Sequence, residues 1–80
     1  MIFRFEDKLF NIQSDFSMNI CLHRDGSYSV QLNKLNNRLD TILILYESNE
    51  LEAVEKVYKS IEELLAKKQC FIDMEELGVR

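Results

Sequence analysis

Five apolar residues in succession, in the run Thr41-Ile42-Leu43-Ile44-Leu45-Tyr46, lead within three residues into a long amphipathic segment from Asn49 to Lys68. This junction limits the fold more than any other stretch. A strand places successive side chains on opposite faces, so so dense a run is apolar on both of its faces. A single helix packed on a sheet covers only one.

The segment that follows supplies that helix. Leu51, Val54, Val57, Tyr58, Ile61, Leu64 and Leu65 recur at spacings of three and four, the period of one helical face. Asn49 with Glu52 three positions on matches an N-cap and its reciprocal partner. Glu50 and Glu52 stand where the macrodipole favours anions, and Lys67 and Lys68 where it favours cations. Glu52/Lys56, Glu55/Lys59 and Glu63/Lys67 are spaced for ion pairs one turn apart, each adding roughly 0.2–0.5 kcal/mol on a solvated face. Burying seven apolar side chains yields roughly 1.5–3 kcal/mol each, while ordering about twenty residues costs on the order of 1.5 kcal/mol apiece. The helix therefore requires a sheet to pack against.

The 80 residues form one domain, 1–80, with a small core, because a chain this short buries only a little over ~60% of its unfolded surface. With 46% hydrophobic and 30% charged residues, no proline and two glycines, it has the composition of a folded globule rather than a linker. The apolar runs are far shorter than the ~20 residues of a membrane span, and Arg4, Glu6 and Asp7 break any signal-peptide pattern, so the expected location is cytoplasmic. Cys21 and Cys70, without C-x-x-C spacing, are expected as reduced thiols.

The net charge of −4 is placed unevenly: residues 1–40 carry five acids and five bases, and residues 41–80 nine acids and five bases. A chain whose excess acid lies in its helix and tail is unsuited to direct nucleic-acid binding, which needs clustered Lys and Arg to displace counterions. It is suited to a protein partner with a basic surface.

In chain order, Ile2-Phe3-Arg4-Phe5 and Leu9-Phe10-Asn11-Ile12 flank Glu6-Asp7-Lys8 and are read as two short strands with a turn. Phe5, Leu9, Ile12 and Phe16 also fit a helical stripe. The enrichment of Phe and Ile, and the β-pattern that follows, favour strands. Phe16, Met18, Ile20 and Leu22 alternate with polar residues or cysteine, as do Tyr28, Val30 and Leu32, which defines a half-buried hairpin. Keeping the apolar residues on one face sets Leu22 opposite Tyr28, Ile20 opposite Val30 and Met18 opposite Leu32. Arg24-Asp25-Gly26 is then a three-residue loop with Gly26 at the left-handed position.

Asn36-Asn37 makes the next turn, and a two-residue loop there sets Leu43 opposite Val30 and Leu45 opposite Tyr28. Ile42, Ile44 and Tyr46 then point to the outer face, which in an antiparallel sheet normally meets water. Two readings follow. Either Phe3/Phe5 or the tail Cys70-Phe71-Ile72 folds across that face, or Ile42, Ile44 and Tyr46 form an apolar interface. Past Lys68, Cys70 to Met74 is a short last strand, or Asp73 and Glu76 cap a helical turn ended by Gly78.

No catalytic, cofactor or metal motif stands out. His23 is the single histidine and has no identifiable nucleophile or orienting partner, which leaves it a solvated strand-end residue. A zinc set of Cys21, His23, Cys70 and Asp73 matches no standard ligand spacing. Acids interleaved with lysines on a helix make a solvated face rather than a metal site. The aromatics are not interleaved with the basic patch that a single-strand nucleic-acid reader requires.

The expected architecture is α+β: an antiparallel meander of three to five strands packed against one long C-terminal helix. The expected function is non-enzymatic protein binding without a cofactor, with Glu47, Glu50, Glu52 and Glu55 as partner-binding residues. The alternative is a structural homodimer formed through the outer face of the 41–46 strand. The run Tyr46-Glu47-Ser48-Asn49-Glu50-Leu51-Glu52-Ala53-Val54-Glu55-Lys56 resembles the middle of small phage-encoded anti-CRISPR proteins that inhibit an RNA-guided nuclease. That resemblance implies an acidic inhibitor that occupies a basic DNA-binding surface as a nucleic-acid mimic.

Overall fold

The computed structural model describes residues 1–5 and 7–77. In chain order the elements are β1 (Ile2–Phe5), β2 (Lys8–Asn11), β3 (Phe16–Leu22), β4 (Tyr28–Lys34), β5 (Asn37–Ser48), α1 (Leu51–Ala66) and β6 (Phe71–Asp73). The chain is α+β, with six strands in two sheets and one helix among the described residues. One sheet is the antiparallel meander β3-β4-β5; the other has the order β2-β1-β6, with β6 parallel to β1.

The N-terminal segment forms strands, and the tail forms the short strand β6. Phe3 pairs with Phe10 on β2 and with Ile72 on β6, so both ends of the chain meet in one sheet. Arg4 and Asp73, paired across β1 and β6, close an ion pair at 2.6 Å on the opposite face. Asp73 also accepts the Glu75 amide at 3.0 Å, which turns the chain after β6. The Gly78 stop lies outside the described residues.

The β3–β4 hairpin has the register expected from its apolar alternation: Met18↔Leu32, Ile20↔Val30 and Leu22↔Tyr28. Gly26 has φ +88°, the left-handed conformation that lets three residues close the loop without strain. Within it, Asp25 Oδ1 accepts the Ser27 hydroxyl at 2.6 Å and the Ser27 amide at 2.9 Å. Those bonds, the hydroxyl's first, hold the Asp25 carboxyl below its ordinary value because they favour the ionised form. A depressed folded-state value means that the carboxylate's contribution is present above the unfolded value and is lost as pH falls through the folded one. Titration by NMR should place Asp25 below the ordinary aspartate range, and Ser27→Ala should raise it. An unchanged midpoint in that variant would remove the assigned cause.

The β4–β5 pairing departs from the expected register. The turn is Leu35-Asn36, closed by Lys34↔Asn37, rather than Asn36-Asn37. Val30 faces Tyr46, Gln31 faces Ile44, Leu32 faces Leu43 and Asn33 faces Thr41. Between these pairs Leu45 and Ile42 are extra residues, each one a β-bulge, and a third break in the register leaves residues 38–40 between the partners of Asn33 and Lys34. A bulge resets the alternation, so Tyr46 lies on the inner face with Val30, and Leu43 with Leu32. Leu45 is buried in the core, and Ile42 packs half-buried against it. The shared outer face expected for Ile42, Ile44 and Tyr46 does not form, and only Ile44 remains there. The physical cause is the composition of the run: two bulges turn consecutive apolar residues inward where a regular strand would send every second one to water.

The helix lies against the inner face of the meander, touching β4, β5 and β3. Val54 and Ile61 are buried, while Val57, Tyr58, Leu64 and Leu65 pack around them. Leu51 is exposed. The cap is not Asn49: Glu50 holds the N-cap position in an extended conformation without a side-chain bond, and its amide donates to Ser48 Oγ at 3.1 Å. At the other end Lys68 adopts φ +59°, with Lys68 N–H to Leu65 O at 3.0 Å and Gln69 N–H to Leu64 O at 3.2 Å. The helix thus stops in a Schellman arrangement built on lysine where glycine is usual. None of the three Glu–Lys spacings closes an ion pair; among the described residues the ion pairs are Arg4–Asp73 and Lys34–Asp40. Long exposed side chains lose more entropy than such a contact returns.

The core is Phe3, Val30, Leu32, Leu45, Val54, Ile61, Ile72 and Met74, drawn from both sheets, the helix and the turn after β6. Phe3 of β1 and Ile72 of β6 belong to that core, while the outer face of the meander is a polar ladder.

Candidate binding surface

Two surfaces of the meander carry chemistry. The first is its outer face, where Ser17, Asn19 and Cys21 of β3, Ser29, Gln31 and Asn33 of β4, and Thr41, Ile44 and Glu47 of β5 share one side. Asn19 Nδ2 donates to Asn33 Oδ1 at 3.0 Å and to Ser17 Oγ at 3.1 Å. Asn33 Nδ2 donates to Thr41 Oγ1 at 3.2 Å, and Thr41 Oγ1 to Gln31 Oε1 at 3.2 Å. Gln31 Nε2 donates in turn to Ser29 Oγ at 2.9 Å. Ser29, Gln31 and Asn33 of β4 are buried, and among the described residues no buried side-chain nitrogen or oxygen lacks a partner. The alternation marked these residues as outward-facing; it held no sign that they would be buried there.

His23 joins this ladder, with Nε2 2.8 Å from Ser29 Oγ. A histidine beside a serine is the arrangement of an activated nucleophile, yet Ser29 is fully buried and already bonded to Gln31. In this conformation no substrate atom can reach it, so the pair serves the sheet. Cys21 lies half-buried on the same face, whereas Cys70 is exposed at the start of β6 in the other sheet. Asp73 is committed to Arg4. Cys21, His23, Cys70 and Asp73 are therefore not gathered, and among the described residues no three His, Cys, Asp or Glu side chains come together as a metal site.

The second surface is acidic. Glu47, at the end of β5, stands opposite Ser29 on the outer face; Glu50 precedes the helix, and Glu52 and Glu55 lie in its first two turns. All four are exposed, and among the described residues none of them is in an ion pair. The β-to-α junction concentrates them. Residues 47–56 hold four acids against Lys56, whereas residues 57–68 hold Glu62 and Glu63 against Lys59, Lys67 and Lys68. Ile44, 42% exposed, neighbours Glu47 on the outer face, since their partners Gln31 and Ser29 are two residues apart on β4. The structure thus joins one residue of the expected apolar interface to the acidic set and withdraws Ile42 and Tyr46 into the core side.

Fold and surface together define a small α+β domain with one acidic end and a sealed polar sheet face. No helix among the described residues is long and apolar enough to cross a membrane. Comparison with family models, with curated proteins and with solved structures finds no match.

Proposed function

We propose that the chain is a non-enzymatic protein-binding module, an inhibitor of phage or mobile-element type that sets its acidic end against a basic, nucleic-acid-binding surface of a larger protein. The observation that carries this reading is the state of Glu47, Glu50, Glu52 and Glu55. Among the described residues, four exposed carboxylates within nine positions have no cation bound to them. Unpaired charge of one sign steers a partner of the opposite sign and sets its orientation. Ile44 beside Glu47 adds an apolar contact at the rim. The likeness of Tyr46–Lys56 to anti-CRISPR inhibitors points to the same class of partner.

Binding to a protein captured by the native chain should weaken steeply between low and physiological salt, because exposed pairs are screened beyond a Debye length of ~8 Å. The triple charge reversal Glu47→Lys, Glu50→Lys and Glu52→Lys should lower affinity about a hundredfold, at roughly 1 kcal/mol for each close solvated pair. Its circular dichroism should match that of the parent. The captured partner should also lose its hold on nucleic acid when the native chain is added. Affinity indifferent to salt and to the triple reversal would reject the reading.

A further inference from the structure

The strand edges of this protein are defended unequally. An exposed edge invites pairing with another chain, and proteins blunt edges by shortness, charge, proline or bulges. At the margins of one sheet, β2 has four residues and carries Lys8, and β6 has three and carries Asp73. In the meander, β5 is bulged and carries Asp40 and Glu47. The fourth edge is β3, and it has none of these devices. Phe16-Ser17-Met18-Asn19-Ile20-Cys21-Leu22 contains no charge, proline or glycine, and its seven pairs with β4 run without a register shift.

The direction of its free backbone groups follows from the hairpin. The His23 amide donates to Ser27 O at 2.8 Å, toward β4. By alternation Ser17, Asn19 and Cys21 also turn toward β4, and Phe16, Met18, Ile20 and Leu22 turn their amides and carbonyls away from the sheet. The Met18 carbonyl confirms the parity, because it accepts the Tyr58 hydroxyl reaching round from the helix at 3.4 Å. On this edge Ile20 is 36% and Leu22 68% exposed.

We propose that β3 is a self-association edge, where a second copy of this chain adds its own β3 antiparallel about a two-fold axis at Asn19, joining two meanders into one six-stranded sheet. The occupant follows from charge. Two copies of a chain of net charge −4 repel, and the seven residues of β3 bring no charge to their contact. With the axis at Asn19, Phe16 lies opposite Leu22 and Met18 opposite Ile20 of the second copy, so outward backbone groups face outward groups, the Met18 carbonyl using the lone pair that the Tyr58 hydroxyl leaves open. Apolar side chains continue the core side across the join, and Ser17 meets Cys21 on the polar side. Past the strand ends Asp15 lies opposite His23 and next to Arg24 of the other copy, bringing opposite charges together. The contact is independent of the acidic surface, which sits at the β5–α1 junction.

Sedimentation equilibrium of the full chain over roughly a thousandfold range of concentration should show the mass rising from one copy to two. Leu22→Lys, and separately Ile20→Lys, should weaken association at least about tenfold by placing a charge on the edge. Ile44→Lys, on the outer face, should leave it unchanged. In the unaltered protein, amide exchange at Met18, Ile20 and Leu22 should slow as concentration rises, while Asn19 and Cys21, already bonded to β4, should not respond. A wild type that stays one copy throughout overturns the proposal. So does a dimer that survives both lysine variants, or edge amides whose exchange ignores concentration.

Discussion

Truncating Phe3 to alanine is expected to remove about 3–5 kcal/mol of stability, which is the usual cost of emptying a buried phenylalanine site. An 80-residue domain holds roughly 4–12 kcal/mol in all, so one side chain three positions from the N-terminus can unfold a large share of the molecules. The reason is its position. Phe3 is fully buried, lies between Phe10 and Ile72 in its own sheet, and meets the Phe16 ring edge-on at 6.5 Å. It belongs to one cluster with Val30 and Leu32 of the meander and with Val54 and Ile61 of the helix. Urea unfolding monitored by circular dichroism checks this, with Leu9→Ala as the comparison. Leu9, on the neighbouring strand, is 65% exposed and should change stability by no more than about 0.5 kcal/mol. Equal losses in the two variants would show that the sheets do not share a core.

Asn33→Asp should cost about 3 kcal/mol near neutral pH and almost nothing in acid. Asn33 is 1% exposed, and its Nδ2 donates to Thr41 Oγ1 and, at 3.5 Å, to Gln31 Oε1. An aspartate of the same shape replaces that donor with an acceptor facing the Gln31 oxygen, and adds a charge that burial disfavours. Its folded-state pKa must then rise above the ordinary ~3.9. A raised carboxyl value means no stability deficit below the unfolded value, then a loss of about 1.4 kcal/mol per pH unit up to the folded value, and a constant deficit beyond it. The protonated acid can donate where the amide did. Unfolding curves across the acid range should therefore converge with the parent as pH falls, and a deficit that persists in acid would mean that shape, not charge, matters at this position.

The ladder around Asn33 also changes how the apolar run at 41–46 is understood. Read as a regular strand, that run had to leave Ile42, Ile44 and Tyr46 facing outward, and a greasy docking face followed. The bulges at Leu45 and Ile42 ease the conflict by redirecting the run toward the core, which leaves the outer face to Ser29, Gln31, Asn33 and Thr41, with Ile44 the one apolar residue of the run still on it. Self-association through the outer side of 41–46 thereby loses two of its three residues. The edge of β3 takes up the question of dimerisation with a different set of contacts.

Much of this was legible in the chain itself. The spacing of Leu51 to Leu65 specified the helix because its apolar stripe has one period. The register of Met18, Ile20 and Leu22 against Leu32, Val30 and Tyr28 was also legible, because strict alternation and a glycine in a short loop permit one pairing. The location and charge of Glu47, Glu50, Glu52 and Glu55 are facts of sequence. The tertiary structure alone decided where β5 breaks its alternation, since a run apolar at every position contains no parity to read. It alone decided that β6 pairs parallel to β1, a contact some seventy residues apart along the chain that no local pattern encodes. It decided too that the helix begins at Leu51 without a side-chain cap and ends on a left-handed lysine, because packing of the apolar stripe outweighs the fractions of a kcal/mol that an ideal cap supplies.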